Sequence, residues 1–125
     1  MSLKVLNTEK APGAIGPYSQ GIQAGNLIFT SGQLPLNPTT GELTSDIRSA
    51  TKQSLENVKN ILESAGSSMD KIVKTLIFLK DMNDFAEMNE VYGSYFPTNP
   101  PARSAVQVAR LPKDAIIEIE AIALV

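Results

Sequence analysis

Arg103, Glu118 and Glu120 are the side chains whose types and spacing in this sequence could do chemistry. An arginine holds a carboxylate through two parallel N–H donors, and a glutamate can pass a proton to or from a positioned water. Apolar residues alternate with other types around all three, which predicts two strands within residues 101–124, separated by a turn at 111–114. Because consecutive strands usually pair, we expect a hairpin. If the apolar faces of its strands coincide, the three charged side chains form one wall of a site.

The same three charges have a second interpretation, a partly buried ion pair that holds an interface together, because ion-pair networks resemble active sites in their charge pattern. The pattern also leaves open which glutamate would handle protons, since Glu118 and Glu120 lie on one face of the same predicted strand. Both questions depend on where the fold places the two strands.

The composition narrows the chemistry. The 125 residues include no histidine and no cysteine, which excludes Ser-His-Asp and Cys-His triads, disulfides and nearly every zinc site. No Asp/Glu cluster has the spacing of a Mg²⁺ site, so we expect no metal. A net charge of −2 without a basic run disfavours a nucleic-acid partner. We find no apolar stretch long enough to span a bilayer and no leader sequence, so we expect no membrane partner and a cytoplasmic location.

The hydrophobic pattern predicts three short strands, a helix, a strand, a second helix and two final strands. The first four strands are predicted at 3–6, 20–24, 27–31 and 71–80, and the helices at 45–65 and 84–95. This order favours a single α+β domain over residues 1–125, with a mixed six-stranded sheet and both helices on one of its faces.

The strand at 71–80 is apolar on both faces. One face carries Val73, Ile77 and Leu79, and the other carries Ile72, Leu76 and Phe78. A strand buried on both sides needs cover on both faces of its sheet, and two helices cover only one. A monomer would expose Ile72, Leu76, Phe78, Ile116 and Ile122 together. We therefore expect another copy of the chain on the second face.

Three further positions have both a structural and a functional interpretation. Tyr18 ends a loop rich in proline and glycine. Gly32 follows a predicted strand, where it either forms a plain turn or lets a backbone N–H approach a ligand closely. Asn89 falls within the apolar face of the second helix, either as a buried, hydrogen-bonded amide or pointing into the crevice that holds Arg103.

Five motifs occur in order along the chain. They are Ile15-Gly-Pro-Tyr-Ser-Gln20, Thr30-Ser-Gly-Gln33, Asn83-Asp-Phe85, Pro101-Ala-Arg-Ser104 and Ile117-Glu-Ile-Glu-Ala-Ile122. Together they resemble the Rid family, the YjgF-type reactive intermediate deaminases, and its RidA-like branch in particular, over essentially the whole chain. The resemblance implies a chorismate-mutase-like fold and a homotrimer with active sites between subunits. It also implies hydrolysis of 2-iminobutanoate and 2-iminopropanoate, released by pyridoxal-phosphate enzymes, to 2-oxo acids and ammonia.

The resemblance also implies roles for single residues. By motif position Glu118 is the catalytic carboxylate, acting with Tyr18 and Arg103, while Gly32, Asn89, Arg103 and Ala105 bind the substrate. Ala105 stands where many members carry cysteine, which argues against an essential thiol and leaves a backbone role open. A 2-imino acid presents a carboxylate beside an electrophilic carbon, so an arginine, an aimed water and a proton-handling group suffice. No metal or organic cofactor is required.

Two other functions remain open. One is RNA cleavage or translational inhibition, an activity sometimes ascribed to the resembled family and disfavoured here by the missing basic stripe. The other is a non-catalytic trimer that senses 2-oxo acids through Arg103. Such a protein would bind a 2-oxo acid and leave the decay of imines unchanged.

Overall fold

The computed structural model describes residues 2–125 and has the predicted order of elements. The strands are β1 (Leu3–Leu6), β2 (Gly21–Ala24), β3 (Leu27–Thr30), β4 (Ile72–Leu79), β5 (Ala102–Gln107) and β6 (Ile117–Leu124), and the helices are α1 (Ile47–Ser64) and α2 (Phe85–Ser94). All six strands form one mixed sheet with both helices packed on one face, so the predicted α+β class is confirmed. Within residues 2–125 no helix is long and apolar enough to cross a membrane.

The strand order in the sheet is β1-β2-β3-β6-β4-β5, and every neighbouring pair is antiparallel except β4 with β5. The predicted hairpin is therefore wrong, because β4 lies between β5 and β6. The physical reason is α2, which connects β4 to β5 and so makes a β-α-β unit whose two strands run parallel and side by side. With β5 on one edge of β4, β6 pairs with the other edge.

Strand register decides which side chains share a face, because paired residues point to the same side of a sheet. Thr75 of β4, buried beneath the helices, is paired with Arg103 of β5. Phe78, three residues later, is paired with Glu118 and points to the opposite face together with Glu120. The predicted wall that Arg103 would share with the two glutamates is wrong within one chain, and these charges form no ion pair there.

The core lies between the helices and the face of the sheet that they cover. Helix α1 begins after Asp46, whose carboxylate accepts a 3.0 Å hydrogen bond from the backbone N–H of Ser49. It is followed by Gly66 at φ 80°, a conformation in which glycine is favoured. Between these ends Leu55 and Leu62 are fully buried against the sheet, so the predicted helix is confirmed.

The opposite side of the sheet, which we call the open face, has no helix packed on it. Its apolar side chains, all half-buried or exposed, include Phe29, Leu76, Phe78, Val106 and Ile122. The prediction that Ile72 lies here is wrong, because a bulge between Ile72 and Lys74 buries Ile72 under the helices and exposes Val73. Ile116, also expected here, packs against the core. A contiguous apolar surface of this kind is typical of an interface.

A buried amide on α1 fixes the loop that follows β3. Asn57 is fully buried, and its Nδ2 donates to the carbonyl oxygens of Leu34 at 3.1 Å and Leu36 at 2.9 Å. Its Oδ1 accepts a bond of 2.9 Å from Gln53. The carbonyls of Leu34 and Leu36 therefore bond to a helix side chain rather than to a neighbouring strand.

We expect Asn57→Ala to lower the free energy of unfolding by about 1–3 kcal/mol, because it removes three hydrogen bonds of a fully buried side chain and leaves the half-buried carbonyl of Leu36 without that donor. Asn60→Ala is the matched control, since the amide of Asn60 on the same helix makes a single, exposed 2.8 Å bond to the carbonyl of Lys10. This control should lose about 1 kcal/mol or less. Urea unfolding of both variants at one protein concentration measures the difference, and equal losses would contradict the prediction.

Candidate active site

A cavity of about 480 Å³ lies beside β6. Its walls come from the loop before β2, the loop after β3 and the turn before β6, and they are largely apolar, with Ile15, Leu34 and Pro112 among them. Glu118 is the only acidic side chain among the described residues that line it. We call it the Glu118 cavity. Three of the predicted site residues meet here: Tyr18, Gly32 and Glu118.

Gly32 lies directly against the Glu118 carboxyl group. A Cβ atom at position 32 would be only 2.7 Å from Cδ of Glu118, closer than real side-chain atoms approach. Two backbone hydrogen bonds hold this contact: the N–H of Gln33 donates to the carbonyl of Ile119 at 2.7 Å, and the N–H of Ile119 donates back at 3.1 Å. Gly32 therefore leaves room for the Glu118 carboxyl beside the backbone, and a side chain at position 32 would displace that carboxyl.

Burial raises the pKa of the Glu118 carboxyl above its ordinary value, and the neighbouring charge of Glu120 raises it further. Both causes favour the protonated form. A carboxylate with a raised pKa is a stronger base toward a proton of a positioned water. Glu120 is not among the residues that line the cavity, so the geometry favours Glu118 over Glu120 for proton transfer.

Arg103 lies in a second cleft, of about 440 Å³, at the β5 edge of the helix-covered face. Its Nη1 donates a 2.6 Å hydrogen bond to Oδ1 of Asn89. The guanidinium carbon lies 4.9 Å from the centre of the Tyr92 ring and 5.4 Å from that of Phe85, within the range of cation–π attraction. Neither salt bridge found among residues 2–125 includes Arg103. Neutral groups therefore orient this guanidinium, and its charge is left for an external anion.

Two residues of α2 support Arg103. Asn89 is exposed, so its interpretation as a buried core amide is wrong, and its oxygen orients Arg103. Tyr92, which the sequence analysis missed as a site residue, is buried with its hydroxyl 2.7 Å from Oγ1 of Thr75. Burial raises the pKa of Tyr92 and keeps the ring neutral. The signal for it was the spacing of three from Asn89, which places both on one face of a helix.

A family model described as Endoribonuclease L-PSP matches residues 8–125. The chain belongs to this family, the YjgF/Rid family. It is 57% identical over 124 residues to a RutC family protein of Pyrococcus abyssi, covering 98% of each chain. It is 56% identical over 124 residues to the 2-iminobutanoate/2-iminopropanoate deaminase of Escherichia coli, covering 97% of each. The solved structure of Escherichia coli TdcF with bound serine is 52% identical, covers 98% of each chain and has a TM-score of 0.95.

In this Rid protein the predicted site residues form two groups on opposite faces of the sheet. Tyr18, Gly32 and Glu118 lie at the Glu118 cavity, and Asn89, Arg103 and Ala105 lie on the helix-covered side. Strands β5 and β6 are separated by β4, which puts them roughly 10 Å apart at about 4.8 Å for each neighbouring pair. The sheet itself also lies between the two groups. One chain therefore does not bring the arginine and the glutamate to one small ligand.

Position 105 of the Rid protein lies on the Arg103 side. Ala105 follows Arg103 by two residues on β5, is paired with Ile77 and packs against the core. A side chain at this position therefore shares a face with Arg103. Across the part of the chain that the structure describes, no three His, Cys, Asp or Glu side chains are grouped so that they could hold a metal ion.

Because the charge of Glu120 is the second cause of the raised Glu118 pKa, Glu120→Gln should lower that pKa. Burial, the larger cause of the raised pKa, remains in this variant, so the change should be only part of the whole shift. Carbon-13 NMR of the glutamate carboxyl groups through a pH titration measures the change. Glu87→Gln, on the exposed side of α2, is the control and should leave Glu118 unchanged. If the pKa of Glu118 is the same in Glu120→Gln as in the parent, the charge of Glu120 is not a cause of the shift and this explanation is wrong.

Proposed function

We propose that this Rid protein hydrolyses small 2-imino acids to 2-oxo acids and ammonia, with 2-iminobutanoate and 2-iminopropanoate as substrates. The observation that carries the proposal is Glu118, an acid–base carboxyl with a raised pKa that lines an apolar cavity beside Tyr18. The name of the Escherichia coli relative, which is 56% identical, supports this choice of substrates. The serine bound by TdcF is likewise small and carries a carboxylate next to a nitrogen-bearing carbon.

In the proposed reaction Arg103 holds the substrate carboxylate through two parallel N–H donors, which fixes the neighbouring C=N carbon. A water adds its oxygen to that carbon while Glu118 accepts one water proton and passes it to the nitrogen, giving a carbinolamine. Glu118 then moves the hydroxyl proton to the nitrogen, the C–N bond breaks with its electron pair on nitrogen, and ammonia leaves. The carbon–oxygen double bond of the 2-oxo acid forms, so atoms and charge balance without a metal or organic cofactor.

The remaining site residues help to hold this water and its adduct. Tyr18 is placed to hydrogen-bond the adduct, and the backbone at Gly32 and Ala105 borders the substrate. A positioned acid–base group accelerates a reaction by roughly 10²–10⁴-fold, which suffices because the imine is already reactive. We also propose a cytoplasmic location, with which the lack of cysteine is compatible.

We further propose a homotrimer in which each site lies between two chains. The position of Arg103 and Glu118 on opposite faces supports this, because the arginine of one chain can meet the glutamate only of another. The apolar open face supports it as well, since packing between copies would bury that face. In a closed ring of three, every interface is of the same heterologous kind and joins an Arg103 cleft to a Glu118 cavity.

RNA cleavage is the competing activity, because the family model is described as an endoribonuclease. The net charge of −2 and the absence of histidine disfavour it, since RNA binding usually rests on clustered Lys and Arg. Retention on heparin at low salt, with release as salt rises, would favour RNA. A trimer that only senses 2-oxo acids is the other competitor, and it would leave imine decay unchanged.

The proposal is tested by a coupled assay in which threonine dehydratase generates the imine. The decay of the imine is followed with and without the protein, at several protein concentrations. We expect the rate to rise in proportion to protein. If the decay is unchanged and 2-oxobutanoate binds tightly in calorimetry, the protein is a sensor of 2-oxo acids and the proposed enzymatic function is wrong.

Arg103→Lys should keep the fold and lose roughly two orders of magnitude or more in kcat/KM, because two charge-assisted hydrogen bonds of about 1.5–3 kcal/mol each become one unoriented charge. Glu118→Gln should instead lower kcat and still bind 2-oxobutanoate, because only proton transfer is removed. Arg48→Lys is the control, since Arg48 is an exposed residue paired with Glu90. If Arg103→Lys binds 2-oxobutanoate as tightly as the parent, Arg103 is an interface residue and the mechanism is wrong.

Mixing two inactive variants tests the shared site directly. Arg103→Lys and Glu118→Gln chains, refolded together in equal amounts, should recover about a quarter of the parental activity, because one interface in four then pairs an intact arginine with an intact glutamate. Each variant refolded alone should stay inactive. A site contained in one chain gives no recovery on mixing, and light scattering of the mixture confirms the number of chains.

A further inference from the structure

The loop between β1 and β2, residues 7–19, carries Tyr18 to the Glu118 cavity and has little apolar anchorage of its own. Tyr18 is 50% exposed and Ile15 is 80% exposed. Within this loop only Ala11 is buried in the core. A segment with so few buried contacts opens easily unless hydrogen bonds restrict it.

Gln20, the residue directly after this loop, supplies such hydrogen bonds from a side chain that is almost fully buried. Its Oε1 accepts a 2.7 Å bond from the N–H of Thr8, and its Nε2 donates to the carbonyls of Thr8 at 3.0 Å and Pro12 at 2.8 Å. A longer contact of 3.3 Å reaches the carbonyl of Ala11. Both donors of the carboxamide are used. Every partner lies within residues 8–12, and none belongs to a strand or helix.

The end of the loop is held beside Gln20. The hydroxyl of Ser31 donates to the carbonyl of Ser19 at 2.6 Å, and the N–H of Ser31 donates to the carbonyl of Gln20 at 2.8 Å. A turn closed by the N–H of Tyr18 and the carbonyl of Gly16, 2.9 Å apart, shapes the stretch between. Tyr18 therefore lies between two fixed points, and Gln20 takes part in both.

We propose that Gln20 is a positioning residue whose carboxamide fixes residues 8–12 and so keeps the Tyr18 hydroxyl at the Glu118 cavity. The inference rests on the proposed function, and Gln20 acts through Tyr18 without touching the substrate. Because its side chain bonds only to the loop, losing those bonds leaves residues 8–12 held by the single exposed bond from Asn60 to the carbonyl of Lys10, which loosens the loop and leaves the sheet paired. A misplacement of about 1 Å in an active site can cost on the order of 10²-fold in rate.

Gln20→Met tests this role, because methionine keeps the length and volume of the side chain and offers no N–H donor. We expect kcat to fall on the order of 10- to 100-fold. Binding of 2-oxobutanoate should stay within about twofold, because it depends on Arg103. Gln23→Met is the matched control with unchanged kcat: Gln23 lies three residues after Gln20, on β2, and its amide donates only to the carbonyl of Gly25, at 3.3 Å.

A double-mutant cycle with Tyr18→Phe separates positioning from a general loss of stability. If Gln20 acts through Tyr18, Gln20→Met lowers kcat in the parent and has little further effect in the Tyr18→Phe background. The same loss in both backgrounds overturns the proposal, and so does an unchanged kcat in Gln20→Met alone.

Hydrogen exchange gives a readout that does not depend on activity. In Gln20→Met the amides of residues 8–18 should exchange faster while those of β2 and β3 stay protected, and unchanged protection of the loop overturns the proposal. If Gln20→Met does not fold, Gln20→Glu takes its place with the same expectations, because it keeps the acceptor for Thr8 and loses the donors. If the parent does not accelerate imine hydrolysis, the proposed function fails, whereas the exchange experiment still decides whether Gln20 holds the loop.

Discussion

The position of strand β4 decides where every residue of the candidate site lies. With β5 on one edge and β6 on the other, its register puts Arg103 on the face beneath the helices and Glu118 on the open face. A rotamer change cannot bring these side chains together, because the sheet lies between them. In the proposed mechanism, carboxylate binding by Arg103 and proton transfer by Glu118 on one small molecule would therefore need a second chain, and the uncovered apolar surface beside Glu118 is where such a chain would pack.

The two groups of site residues differ in the charge that they stabilise: the Arg103 side chain stays positively charged, whereas the surroundings of Glu118 disfavour its negative charge. Arg103 is held by an amide oxygen and two aromatic rings, and no acidic side chain within residues 2–125 forms an ion pair with it. Burial and the neighbouring charge of Glu120 both raise the pKa of the Glu118 carboxyl. In the proposed assembly the arginine of a neighbouring chain would draw that pKa down again. A substrate carboxylate on Arg103 would cancel this attraction, so that Glu118 becomes the better proton carrier when its substrate is in place.

Local signals predicted much of the fold. The apolar repeat over 45–65 predicted α1, and the apolar character of β4 on both sides predicted an uncovered face. The pairing of β5 was mispredicted, because alternation shows which side chains share a face of one strand and does not encode which strand lies beside it. One extra residue at the Val73 bulge was enough to invert the expected side of Ile72.

The residues of the candidate site could be predicted from the sequence, but their positions relative to one another could not. Glu118 and Arg103 could be named from the sequence, yet their separation follows from strand order, a long-range property. Tyr92 was counted only with the apolar face of α2, although its ring also supports a guanidinium. Gln20 ended one of the five motifs, yet no pattern showed a role for its amide, because that role depends on which carbonyls a loop folds back toward it.

The uncompensated guanidinium of Arg103 also bears on how a catalytic cycle would end. A 2-oxo acid keeps the carboxylate of the imino acid from which it forms, so a clamp made of Arg103 holds product and substrate alike. Binding that is equally strong for substrate and product orients the substrate, but it does not help the 2-oxo acid to dissociate after ammonia has left. Release of the oxo acid would then limit turnover at saturating imine, and competition from other small carboxylates would slow the enzyme once the imine is scarce.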